Sequence, residues 1–163
     1  MYIKLNTTRY FINMRKATLA LAFALMSIAG MAQIKNPVKW TFSAKKLDAT
    51  TYELHLTAIM DPTWHIYTID HTGDIGVPTS IRFKSNPLGT YSGKPKVVGK
   101  AVSLKDPSTG EMVKFYEKSV NFVQVVKLKA PVKTNIAGTV EFMACDDKQC
   151  LPPTEKEFSI PLQ

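Results

Sequence analysis

The sequence lacks most of the motifs on which well-known enzyme classes depend. It has only two cysteines and three histidines in 163 residues. It shows no nucleophile elbow, paired-carboxylate constellation or glycine-rich phosphate loop, and so gives little support for a hydrolase or a nucleotide-binding enzyme. Basic and aromatic residues do not alternate along any segment, and nucleic-acid binding is therefore not indicated.

Acidic side chains are absent from the first 32 residues. Four basic residues accompany an apolar run over residues 17–30, and the small residues Gly30 and Ala32 stand at the spacing that signal peptidase requires. The run is shorter than the roughly 20 residues of a membrane span. We therefore predict a secretory signal peptide over residues 1–32 and a mature domain over residues 33–163, with an uncleaved N-terminal anchor as the alternative.

A strong net charge is also missing from the predicted mature domain. The signal peptide carries four of the 21 basic residues, which leaves 17 basic against 13 acidic residues and a net charge of +4. The remaining length fits one domain with a real hydrophobic core. Because export leads to an oxidising compartment, the two cysteines are expected to pair with each other.

Helical periodicity is absent from the mature domain, and a period of two replaces it. In residues 51–60 the side chains from Tyr52 to Met60 are apolar at every second position, which predicts a strand with one buried face. A turn at residues 61–63 and an extended run over residues 64–70 predict a hairpin with the next strand. Further strands are predicted at residues 38–44, 79–84, 96–104, 120–128, 136–144 and 157–162.

About eight short strands with Gly- and Pro-containing turns predict an all-β fold, either a sandwich or a barrel. The length favours an immunoglobulin-like β-sandwich. The distant cysteines that join the two sheets of antibody domains have no counterpart here, because only four residues separate Cys145 from Cys150.

The two cysteines are expected on a tight hairpin-like excursion between adjacent strands. A predicted strand leads into Cys145, and Pro152 and Pro153 stiffen the exit from Cys150. A bridge that closes so short a loop stabilises a fold by roughly 2 kcal/mol, the low end for disulfides. Two interpretations stay open at this point: a small structural bridge, and a pair of sulfurs that exchanges with another protein.

A metal site is disfavoured. Structural zinc needs four ligands, and only His55, His65 and His71 could complete a set with the cysteines. These histidines are scattered along the chain, so neither a metal nor another cofactor is predicted.

Three segments, in order, resemble one family. They are WHIY at residues 64–67, KFYEKS at residues 114–119, and the cysteine pair that ends in Cys-Leu-Pro-Pro-Thr-Glu at residues 150–155. The chain is similar in these segments to the N-terminal periplasmic domain of the thiol:disulfide interchange protein DsbD, also known as the disulfide bond corrector domain. The resemblance covers essentially the whole predicted mature domain.

This resemblance implies an immunoglobulin-like fold and a periplasmic disulfide shuttle. Such a domain takes electrons from a thioredoxin-like donor and passes them to exported client proteins, as a component of protein-disulfide reduction. By position, Cys145 and Cys150 would be the redox pair. Cys150 would form the mixed disulfide with a partner, and Cys145 would resolve it.

The resemblance also implies a cap and a wall around the bridge. Phe115 would be the cap residue that shields the disulfide, with Tyr116 beside it. Tyr67 and His65 would line the neighbouring wall.

Three features depart from the family pattern. The cysteines have four residues between them instead of five, and Val113 and Lys114 stand where acidic residues precede the cap aromatic. The chain ends at Gln163 without a transmembrane conduit or a thioredoxin-like domain. We therefore expect a stand-alone module whose donor is another polypeptide and which is not inserted in the membrane after signal cleavage. The alternative is a non-enzymatic secreted immunoglobulin-like binding module with a purely structural disulfide.

Overall fold

The computed structural model describes residues 35–107 and 109–163, and the predicted signal peptide lies outside the described residues. Among the residues described, no helix has the length and apolar character needed to cross a membrane. The strands belong to one unit, Asn36–Gln163. They are β1 (Val38–Lys46), β2 (Thr51–Met60), β3 (His65–Tyr67), β4 (Ser80–Phe83), β5 (Gly89–Val98), β6 (Ala101–Lys105), β7 (Met112–Glu117), β8 (Ser119–Leu128), β9 (Thr134–Phe142), β10 (Ala144–Cys145) and β11 (Thr154–Leu162).

The strands form three antiparallel sheets, with strand orders β1-β2-β8-β5, β11-β9-β4 and β10-β3-β7-β6. Aromatic side chains join the first sheet to the second across a shared core. The Trp40 ring of β1 lies 5.4 Å from the Phe142 ring of β9, and the Phe42 ring lies 5.1 Å from the Phe158 ring of β11. This architecture confirms the prediction of an all-β, immunoglobulin-like β-sandwich.

Alternation along β2 supplies one face of this core, as predicted. Every second side chain from Tyr52 to Met60 is buried, whereas the side chains between them are at least partly exposed. The neighbouring strand β8 repeats the pattern from Val120 to Leu128. Because successive side chains of a strand point to opposite faces, this spacing turns one apolar face of the sheet inward.

The predicted hairpin between β2 and β3 is wrong. β2 pairs with β1 and β8, whereas β3 pairs with β7 and β10. The turn between them is closed by a hydrogen bond of 3.1 Å from the Trp64 amide to the Asp61 carbonyl, with Pro62 and a left-handed Thr63 (φ 72°) at its centre. The turn carries the chain from the first sheet into the third, where the buried Trp64 indole anchors it.

The single strand predicted over residues 96–104 is divided. β5 ends at Val98 in the first sheet, and β6 begins at Ala101 in the third. The chain passes so close to β8 at Gly99 that an added Cβ would lie 3.1 Å from Val120 Cγ2. Glycine therefore suits the crossing between the sheets.

The third sheet has a core face and an outer face. Ile66 of β3 pairs with Tyr116 of β7 and with Ala144 of β10, and all three side chains lie in the main core. Their neighbours along the strands point the other way. This alternation creates the outer face on which the candidate site is built.

Candidate redox site

Both cysteines lie on an excursion between two paired strands, as predicted. β9 and β11 form a regular antiparallel pair that closes with Phe142 opposite Thr154. The eleven residues between these two partners contain β10 and the bridge Cys145–Cys150. The excursion is therefore held at its base by a strand pair of the main sandwich.

The two cysteines face each other within this excursion. They are joined by a disulfide with a Cα–Cα distance of 4.0 Å and form an isolated antiparallel bridge. Hydrogen bonds flank them on both sides, from the Asp146 amide to the Gln149 carbonyl (2.9 Å) and from the Leu151 amide to the Ala144 carbonyl (2.8 Å). They thus occupy a non-hydrogen-bonded pair, the position at which opposite side chains approach most closely.

Asp146 shapes the turn between the cysteines. Its Oδ1 accepts hydrogen bonds of 2.8 Å from the amides of both Lys148 and Gln149. An aspartate that binds backbone amides two and three residues ahead replaces the main-chain partners that a tight turn leaves unpaired. The negative charge of Asp146 disfavours a thiolate nearby, but its carboxylate also stabilises the turn between the cysteines.

The two sulfur-bearing residues differ in their access to solvent. Cys145 is 2% exposed, whereas Cys150 lies at the surface. Cys145 packs in a small apolar cluster with Tyr67, Val113 and Phe115. One end of the bridge is thus open to an incoming group, and the other end is covered.

The outer face of the third sheet brings three of the predicted site residues beside the bridge. His65 pairs with Cys145 across β3 and β10, and Tyr67 pairs with Phe115 across β3 and β7. The His65 ring lies 4.3 Å from the Phe115 ring and 5.8 Å from the Tyr67 ring, centroid to centroid. Phe115 lies within a strand that pairs on both sides, with β3 and with β6.

Tyr116 lies apart from this group. It follows Phe115 directly, so its side chain points to the core face of the same strand. Its ring lies 5.9 Å from the Phe122 ring in an edge-to-face contact. The structure therefore places Tyr116 in the main core rather than against the disulfide.

The cysteines and the wall residues line a cleft of about 840 Å³. Other residues complete the cleft that the sequence does not predict as members of the site, among them Ile75, Asp106, Val113 and Glu117. The period of two along β7 could have indicated Val113 and Glu117, which flank Phe115 at two positions on either side. Ile75 and Asp106 come from loops, where no pattern in the sequence marks them. Among the described residues, no three His, Cys, Asp or Glu side chains are grouped so that they could hold a metal ion.

The loop after β3 packs against the Tyr67 ring. The His71 ring lies 4.7 Å from the Tyr67 ring, and His71 Nε2 lies 2.6 Å from the Ile75 carbonyl oxygen. Gly76 has φ +82°, and a Cβ there would lie 2.1 Å from the Tyr67 ring. Only glycine meets both conditions, because it tolerates the left-handed backbone and leaves room for the ring.

Burial determines the protonation states of the two wall residues, His65 and Tyr67. Desolvation lowers the pKa of His65 below its ordinary 6.5, although the negative charges of Glu117, Asp147 and Asp146 oppose this shift. Desolvation, assisted by Asp106, raises the pKa of Tyr67 above 10. His65 is therefore mainly neutral and Tyr67 fully protonated near neutral pH.

The fold and the site together define an immunoglobulin-like β-sandwich with a half-buried disulfide in a cleft that is lined by both apolar and acidic side chains. The family model described as the N-terminal part of the thiol:disulfide interchange protein DsbD matches residues 32–162. The chain belongs to this family. No curated protein matches it significantly in sequence.

Three solved structures are similar to this chain at low sequence identity. The N-terminal periplasmic domain of ScsB from Proteus mirabilis is 17% identical, with 79% of this chain and 49% of that chain covered and a TM-score of 0.48. This chain thus spans about half the length of that ScsB chain. The reduced N-terminal domain of Neisseria meningitidis DsbD is 15% identical, with 74% and 83% covered and a TM-score of 0.45. A chain from the complex between the DsbD and PilB N-terminal domains of Neisseria meningitidis is 11% identical, with 78% and 87% covered and a TM-score of 0.46.

Proposed function

We propose that this protein is a periplasmic thiol–disulfide exchange module that works through the Cys145–Cys150 disulfide. It accepts electrons from a thioredoxin-like donor and passes them to an exported client protein. Membership of the DsbD N-terminal family supports the class of reaction. The signal peptide predicted over residues 1–32 supports export.

The observation that carries the proposal is the unequal exposure of the two cysteines. An attacking thiolate must approach a sulfur in line with the bond that it breaks, so the accessible sulfur is the one attacked. Cys150 is exposed and Cys145 is 2% exposed. The geometry thus favours attack on Cys150, with Cys145 as the leaving sulfur.

Two exchanges complete each transfer. In the first, the donor thiolate attacks Cys150, the bond to Cys145 breaks, and Cys145 takes up the electron pair and a proton. The donor's second thiol then attacks the donor sulfur of the mixed disulfide, which releases an oxidised donor and two reduced protein thiols. With a client disulfide these steps run in reverse. The Cys150 thiolate attacks the client disulfide, Cys145 then attacks Cys150 in the mixed disulfide, and the client leaves with two thiols.

Two of the predicted site residues, Tyr67 and Phe115, have a protective role. Tyr67 and Phe115 cover Cys145 together with Val113. A sulfur that is shielded by apolar side chains is poorly accessible to small thiols and oxidants, and sulfur–aromatic contact is mildly favourable. A protein partner that docks at the cleft can reach Cys150 without opening this cluster.

Mapping of a trapped adduct tests the proposal. The oxidised protein is mixed with a single-cysteine thioredoxin-like donor, quenched with acid, alkylated and digested with trypsin. Lys148 stands between the two cysteines, so cleavage after it separates Cys145 from Cys150 on different peptides. We expect the donor to be linked to the Cys150 peptide, and the Cys150→Ser variant to give no adduct when its Cys145 thiol meets the same donor in activated form.

The Cys145→Ser variant is the matched partner in this experiment. It keeps Cys150 without a resolving thiol, so its adduct with the activated donor should accumulate and persist. If no adduct forms with any of several thioredoxin-like donors, the exchange proposal is wrong.

A further inference from the structure

The sulfur that leaves in the proposed exchange is the buried one. When a partner attacks Cys150, the electron pair of the broken bond goes to Cys145 Sγ. Cys145 packs against the apolar surroundings of Tyr67, Val113 and Phe115. Burial penalises the charged form of a thiol, so a bare Cys145 thiolate is disfavoured there.

Neighbouring carboxylates disfavour this thiolate further. Asp106, Glu117, Asp146 and Asp147 line the same cleft, and each repels a second negative charge when it is ionised. Of the described residues that line the cleft, none is lysine or arginine. Cys145 therefore needs a group that supplies a proton when the bridge opens and accepts one when the bridge closes.

His65 occupies the position that such a group requires. It is the direct cross-strand partner of Cys145, so both side chains rise from the outer face, where opposite Cβ atoms lie about 5 Å apart. Glu117 pairs with His65 from the other side, and the Phe115 ring packs against the imidazole. His65 is the one imidazole among the described residues that line the cleft, and imidazole changes its charge near neutral pH.

We propose that His65 is a catalytic acid–base residue that takes the proton of the Cys145 thiol as the bridge closes and returns a proton to Cys145 as it opens. The inference rests on the proposed function. In the closing step a bond forms between the sulfurs of Cys145 and Cys150, and the bond between Cys150 and the partner sulfur breaks. The partner sulfur leaves with the electron pair, and the Cys145 proton passes to His65. Opening is the same step in reverse.

The ionisation of His65 agrees with this role. Burial keeps its pKa below 6.5, while Glu117, Asp147 and Asp146 act against the shift. The neutral imidazole is therefore available as a base at neutral pH. The same three carboxylates stabilise the imidazolium once it has accepted the proton.

Stopped-flow reaction of the reduced protein with dithiobis-nitrobenzoate separates the two sulfurs in time. Cys150 first attacks the reagent and releases one thionitrobenzoate. Cys145 then attacks the Cys150 mixed disulfide and releases the second, in a step independent of reagent concentration. Thionitrobenzoate leaves as a stable thiolate and takes up no proton. The only proton that has to move in the second phase is therefore that of the Cys145 thiol, so the pH dependence of this phase reports its removal.

The matched variants are His65→Asn and His65→Phe, with His55→Asn as a histidine control on β2. We expect the second phase to be about 100-fold slower near neutral pH in both His65 variants, the usual scale of general base catalysis, and unchanged in the control. The first phase should keep its rate in all proteins. The wild-type second phase should be level above the pKa of His65, whereas the variants should gain about tenfold per pH unit, as an unassisted thiol does.

Each outcome has one meaning. An unchanged second phase in both His65 variants, or an equal slowing of both phases, overturns the role of His65, because the imidazole would then be dispensable or would affect only access. A wild-type protein that shows no second phase, or no fast first phase, contradicts the proposed function itself.

Discussion

Iodoacetamide is expected to alkylate Cys150 in the Cys145→Ser variant about 100-fold faster than Cys145 in the Cys150→Ser variant. Two effects act in the same direction. Cys145 is covered by Tyr67, Val113 and Phe115, so its thiol reacts only when this cluster opens. Burial also disfavours the Cys145 thiolate, which is the reactive form, whereas Cys150 is exposed to solvent.

The control for this comparison is the same reaction in concentrated guanidinium chloride. Unfolding removes the cover, and the two thiols should then react at similar rates. Equal rates in the native proteins would mean that the two ends of the bridge do not differ in access, and the assignment of Cys150 as the attacked sulfur would lose its basis.

The Gly138→Ala substitution is expected to lower the free energy of unfolding by about 3 kcal/mol. Gly138 is buried in β9 between β4 and β11. A Cβ there would lie 2.4 Å from the Arg82 carbonyl oxygen and 2.5 Å from Phe158 Cζ. The Arg82 contact is with backbone, so it cannot be relieved by a change of rotamer, and the second sheet must shift to admit one methyl group.

Thermal or denaturant unfolding measures this effect, and Gly73→Ala is the matched control. A Cβ at Gly73 would lie 3.3 Å from Glu111 Oε2, the end of a flexible side chain, so we expect a change of a few tenths of a kcal/mol at most. If Gly138→Ala is as stable as Gly73→Ala, the packing of β9 between β4 and β11 is not as described.

Local patterns in the sequence predict the strands better than their partners. The alternation from Tyr52 to Met60 depends only on which face is buried, and the structure bears it out. Pairing depends on where the chain goes after each turn. The turn at Pro62 and Thr63 resembles that of a hairpin in composition, yet it sends β3 into a different sheet. The pairing partner of β3 is determined by contacts between residues that are distant in sequence, and these contacts cannot be predicted from a local pattern.

The same distinction applies to the candidate site. The position of Cys145 and Cys150 on a hairpin excursion follows from local sequence, because β9 leads in and two prolines lead out. Their unequal burial does not, because the cover comes from β3 and β7. Phe115 and Tyr116 are adjacent aromatic residues that point to opposite faces of β7. Which of them faces the disulfide and which faces the core is known only from the pairing of β7 with β3.

The reduction potential of the Cys145–Cys150 couple tests the central claim most directly. It is obtained by equilibrating the protein with glutathione or dithiothreitol buffers and separating the oxidised and reduced forms. An exchange module should have a potential in the thioredoxin-like range, about −270 to −180 mV, so that electrons can both enter and leave. A potential well below about −300 mV would mark a bridge that thioredoxin-like partners cannot open, and would leave the protein as a binding module with a structural disulfide.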